Sequence, residues 1–194
     1  KAKDTTGNYS TNTARFSITV TSSGFTSIKQ QQLAPGWISG DPYLALPGAS
    51  GDIARASLTT SDATRLKIIV KLAMDDWTPA TLTAIVSKWA NAARSFRILQ
   101  GTNGRPQLRI STDDSSETTI NATEAVTATN ESSKWLQYYF VGNDNNGNRI
   151  TEFWESDDGE DWALISDPVV SAGTLTVNGS ITDIVIGSAI SAGT

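Results

Sequence analysis

The chain has 194 residues, enough for one large β domain that buries roughly 70% of its unfolded surface without a disulfide or metal staple. It contains no cysteine and no histidine. That excludes disulfides, thiolate sites, His-ligated zinc, Ser-His-Asp triads and imidazole acid–base catalysis, leaving carboxylate chemistry, oxygen-ligand metal binding and plain binding. The net charge of −5 is uneven: residues 1–97 carry 11 Lys/Arg against 6 Asp/Glu, and residues 98–194 carry 4 against 14. The basic residues are scattered (Lys67, Lys71, Lys88, Arg94), with no run that would track phosphates, so nucleic acid is not an expected partner. No apolar run approaches the ~20 residues that span a bilayer, so membrane insertion is not expected.

Short alternating runs bounded by turn residues recur along the chain. "ARFSITVT" (14–21) alternates after a polar turn, and "YLALPG" (43–48) ends in Pro-Gly. "RLKIIVKLAM" (65–74) puts Leu66, Ile68, Val70 and Leu72 on one face. "TPATLTAIVSKWANAA" (78–93) fits two periods, a helical face through Leu82, Ile85, Val86 and Trp89, or a strand over about 82–88 followed by a loop with Asn91. The β-branched Thr83, Ile85 and Val86 favour the strand. "FRIL" (96–99) and "QLRIS" (107–111) flank the loop "QGTNGRP"; "WLQYYFV" (135–141) and "RITEFW" (149–154) flank "GNDNNGN". "WALIS" and "ITDIVIGS" close the series. Turn signals every 8–12 residues predict an all-β sandwich.

Residues 1–23, with "DTTGN" ahead of "FSITV", resemble the final hairpin of a bacterial Ig-like repeat. One hairpin buries no core alone, so it is expected either to belong to an upstream domain or to dock onto the sandwich. Residues 24–39 read as a polar linker. Residues 40–194 carry four pieces in order that resemble the laminin-G-like, concanavalin-A-type jelly-roll domains of phage virion proteins. They are "YLALPGASGDIARAS" (43–57), "MDDWTPATLTAIVSKW" (74–89), "ISTDDS" (110–115) and "ITEFWESDDGEDWALI" (150–165), followed by "DIVIGS" (183–188). The family continues past that point into closing strands, whereas this sequence ends at "AISAGT". The expectation is that a closing strand comes from elsewhere or that the chain is a fragment, in keeping with its start without Met.

"EFWESDDGEDWALI" (152–165) packs six carboxylates into fourteen residues. Glu155, Asp157 and Glu160 match the E-x-D-x-x-E spacing carried along one strand by retaining glucanases of the jelly-roll type. A catalytic strand would turn Ser156, Asp158 and Gly159 into the core, where an unpaired Asp costs several kcal/mol. A two-residue hairpin at Asp158-Gly159 is cheaper, since both residues tolerate positive φ. It would set Glu155 opposite Trp162, Phe153 opposite Leu164, and Asp157 opposite Glu160. A cation at that tip is the third reading. The segment also looks like a shortened Asp-box, S-x-D-G-x-x-W, a folding turn.

Asp75, Asp76 and Trp77 follow a strong strand and form the candidate ligand site together with Trp37, because aromatic faces stack on sugar C–H groups and carboxylates hold Ca²⁺ or hydroxyls. The competing reading is an Asp-capped turn with Trp77 folded back onto the sheet. Trp89, Trp135 and Trp154 are expected in the core, whereas Trp37 and Trp77, near turns, are the better candidates for an exposed platform. Oxygen-ligand candidates for a metal are Asp144, Asn146, Asp157 and Glu160, although "NDNNGN" fails the EF-hand register at Arg149. No catalytic residue and no cofactor are expected, Ca²⁺ being the one ion the oxygen ligands suit. The resemblance implies a phage tail, fibre or capsid-decorating component, exposed on the virion, that contacts other virion proteins, copies of itself, or host-surface glycans. The alternatives are a carbohydrate-binding module of a secreted bacterial protein and, third, a glycosidase.

Overall fold

A computed structural model describes residues 54–57, 60–90, 92–179 and 183–187. The expected Ig-like hairpin, the linker, "YLALPG" and Trp37 lie outside them. Among the described residues eleven strands are formed: β1 (Ala54–Ala56), β2 (Arg65–Ala73), β3 (Thr83–Ala90), β4 (Ala93–Gln100), β5 (Pro106–Ile110), β6 (Thr118–Asn121), β7 (Ser133–Val141), β8 (Asn148–Ser156), β9 (Ala163–Leu164), β10 (Val169–Ala172) and β11 (Ile184–Ile186). All pairings are antiparallel. One sheet runs β1-β11-β3-β4-β5-β6; the other runs β10-β8-β7-β2, with β9 beside β8. The helical alternative at 78–93 gives way to β3, which pairs with β4 through two register shifts, Ile85 falling in the first of them. No helix among the described residues is long and apolar enough to cross a membrane.

The period-2 pattern decides which faces meet. Leu66, Ile68 and Val70 of β2, Leu136, Tyr138 and Phe140 of β7, and Phe153 of β8 form one buried cluster with Val86, Phe96, Ile98, Leu108, Ile110, Ile120 and Ile184 of the opposite sheet. The two sheets therefore pack face to face as a sandwich. Tyr138 sits edge-on to Phe153, centroids 5.6 Å apart at 81°, and burial pushes its phenol up. Lys88 is also fully buried on the inner side, opposite Phe96. Desolvation pushes its ammonium down to about 8, and the negative charge of Asp183 opposes the shift.

The alternation leaves the residues between the core positions on the outer face. On the five-stranded sheet these are Lys67, Ile69 and Lys71 of β2, Trp135, Gln137 and Tyr139 of β7, and Glu152 and Trp154 of β8, each on the opposite parity to the core set. Trp135 and Trp154 are thus outside the core, contrary to the expectation from their apolar neighbours. Only Trp89 of the three is buried, at 5% exposure, under the guanidinium groups of Arg97 (4.6 Å) and Arg94 (5.5 Å).

Candidate binding face and the acidic tip

Cross-strand register fixes the rows of the outer face. Lys67, Tyr139 and Glu152 stand side by side, followed by Ile69, Gln137, Trp154 and Leu164, then Lys71, Trp135 and Ser156. Neighbouring strands are ~4.8 Å apart, and successive rows ~6.7 Å apart. Trp154 is therefore directly opposite Gln137 and diagonal to both Tyr139 and Trp135. All four side chains are half-buried. The Trp154 indole N–H donates to Glu152 Oε2 at 3.0 Å, which fixes the ring on the sheet. Lys71 Nζ lies 5.7 Å from the Trp135 ring.

One end of the face is closed by the loop 157–162 between β8 and β9. The observed pairs are Trp154 with Leu164 and Glu155 with Ala163, one residue out of register from an Asp158-Gly159 two-residue turn. The expected pairs Glu155–Trp162 and Phe153–Leu164 are corrected accordingly. The cause is the Asp-box-like wiring. Asp158 Oδ1 accepts the N–H groups of Glu160 (2.8 Å) and Asp161 (2.9 Å) and the Ser156 hydroxyl (2.9 Å). The Gly159 N–H donates to Ser156 Oγ, and the Trp162 indole N–H donates to the Gly159 carbonyl. These donors hold the Asp158 carboxyl down at about 2. Such a network needs six residues, so it overrides the tighter turn. Gly159 has φ +85° and lies so near Trp135 that a Cβ would come within 2.9 Å of the indole.

The E-x-D-x-x-E residues are dispersed by this geometry. Glu155 is on β8 facing inward at 7% exposure, where it accepts the backbone N–H of Thr127 at 2.8 Å and the Thr127 hydroxyl. Asp157 is beyond the strand end and pairs with Lys134 at 2.7 Å, so it does not face Glu160. Glu160 is exposed on the tip.

The other predicted residues fall elsewhere. Asp76 Oδ1 accepts the Thr78 N–H (2.8 Å) and hydroxyl (2.9 Å), a local turn cap. Trp77 is 2% exposed, as in the reading that folds its indole back onto the sheet, and its candidacy as a ligand platform is corrected accordingly. Its ring N–H donates to the Ser132 carbonyl and its own carbonyl accepts from Gln100. Asp75 is exposed beside it. Asp144 Oδ1 accepts the N–H groups of Asn146 and Asn148, which pushes its carboxyl down. Asn146 is thus tied into the loop through its backbone. No group of three or more Asp or Glu among the described residues is placed to hold a metal ion.

Sequence reasoning missed the outer aromatic face because it judged each Trp by its apolar neighbours. The parity signal was present: Leu136, Tyr138 and Phe140 form the more apolar set of β7, which leaves 135, 137 and 139 outside.

No family model matches the chain. No curated protein matches it. Among solved structures, a botulinum neurotoxin type G receptor binding domain is similar at a TM-score of 0.30 and 10% identity. The match covers 70% of this chain and 39% of that one, so the chain spans about two fifths of its length.

Proposed function

We propose that the chain is a non-catalytic adhesion module of a phage particle, a tail, fibre or capsid-decorating component, that meets surface glycans through the outer face of the five-stranded sheet. The phage assignment and the jelly-roll order rest on the four sequence pieces that resemble virion domains. The observation that carries the binding reading is the Tyr139–Gln137–Trp154 patch. Two aromatic rings flank an amide on a rigid sheet, with one ring held by Glu152. Sugar rings present C–H faces to stack on aromatics and hydroxyls to bond amides, and a patch on strands needs little reordering. The non-catalytic reading is supported by the employment of Glu155, Asp157 and Asp158 in structural bonds.

The test is a glycan array probed with the full chain and with Trp154→Ala. The expected result is retention on a subset of glycans that the variant loses while its unfolding transition stays within about 1 kcal/mol. No retention on any glycan, or equal retention by the variant, would contradict the proposal.

A further inference from the structure

We infer that this face selects carboxylated glycans, an inference that rests on the glycan-binding reading above. The argument is charge placement. The chain as a whole carries a net −5. On this face, however, the charged side chains of the outward parity are Arg65, Lys67 and Lys71 of β2 against Glu152 of β8. Glu152 is already engaged with the Trp154 indole. The three cations share one face of the strand at positions 65, 67 and 71, with Ile69 between the last two, so they form a line ~20 Å long from first to last. That line runs beside the aromatic strand β7, with Lys67 directly opposite Tyr139 and Lys71 opposite Trp135. A sugar stacked on Tyr139 or Trp154 with its ring carboxylate turned toward β2 meets Lys67, and the next residues of a chain meet Arg65 or Lys71. The opposite end is bounded by the acidic tip, where Asp158, Glu160 and Asp161 are exposed and would repel an anionic chain. A neutral glycan gains nothing from either feature. A polyanion is drawn to one side of the face and turned away from its end.

The test uses affinity electrophoresis of the full chain in gels containing polygalacturonate, hyaluronan or polysialate, each compared with its carboxyl-reduced, neutral counterpart. Retention by at least one acidic polymer is expected to be roughly tenfold stronger than by its neutral form, the size of one ion pair formed on a partly desolvated surface. The double variant Arg65→Gln, Lys67→Gln should lower that preference to about twofold, and added salt should lower it likewise. Trp154→Ala should abolish retention by both forms. Equal retention by acidic and neutral forms would overturn the charge inference and leave glycan binding standing. No retention by any polymer, with an empty glycan array, would remove both. A double variant that keeps the preference but self-associates would also overturn the inference, because the cations would then serve to guard β2, which ends its sheet among the described residues.

Discussion

Glu155→Ala tests whether the first acid of the E-x-D-x-x-E segment is a structural anchor. The carboxylate is 7% exposed and takes two hydrogen bonds from Thr127, one from the backbone and one from the hydroxyl. It thereby ties the segment after β6 to the inner face of β8. A hydrogen bond to a charged group contributes about 1.5–3 kcal/mol. Thr127 is itself exposed, so water recovers part of what its donors lose. The expected cost is therefore about 2–4 kcal/mol for Ala. Gln keeps one oxygen acceptor, and about 1–2 kcal/mol is expected for it. In a urea titration with a slope near 2 kcal/mol/M, the Ala midpoint should fall by roughly 1–2 M. Unchanged stability of Glu155→Gln, combined with a glycan-hydrolysing activity in the wild type that this variant lacks, would refute the reasoning.

Gly159→Ala places a Cβ at φ +85° and within 2.9 Å of Trp135; about 2–4 kcal/mol of destabilisation and a changed Trp135 emission are expected, measured by fluorescence-monitored unfolding. The folded-state Asp158 carboxyl lies at about 2, below its unfolded value near 3.9. The stability it contributes is therefore present above pH ~4 and lost as pH falls toward 2; the Trp162 indole resonance should report loosening of the tip over that window. The Lys88 ammonium has the opposite sense to an ordinary ion-paired lysine, lying at about 8 when folded against 10.5. The unfolded chain binds the extra proton between those values, so stability should rise from pH 8 to 10.5. Lys88→Met should flatten that rise in a urea series.

The sandwich was legible because period-2 runs such as "RLKIIVKLA" and "WLQYYFV" are long enough to fix their own inner faces. Short strands were not: β6 (TTIN) and β10 (VVSA) are four residues each and exist through pairing with β5 and β8. The register at the tip escaped sequence reasoning because Asp158 satisfies three donors at once, a tertiary gain that a two-residue turn rule does not contain. The candidacy of Trp77 as an exposed platform fails for a related reason. Its neighbours Asp75 and Asp76 are polar, yet Ser132 and Gln100, remote in sequence, supply partners that make burial of the indole and its carbonyl cheap. Trp154 shows the converse, an aromatic inside an apolar run that the strand's parity turns outward.

The most direct test follows the six tryptophan indole N–H resonances of the full chain during titration with a glycan that the array retains. The Trp154 resonance should shift progressively with ligand while that of buried Trp77 stays in place. Movement of Trp77 with Trp154 unaffected would relocate recognition to the Asp75–Trp77 loop and contradict the account.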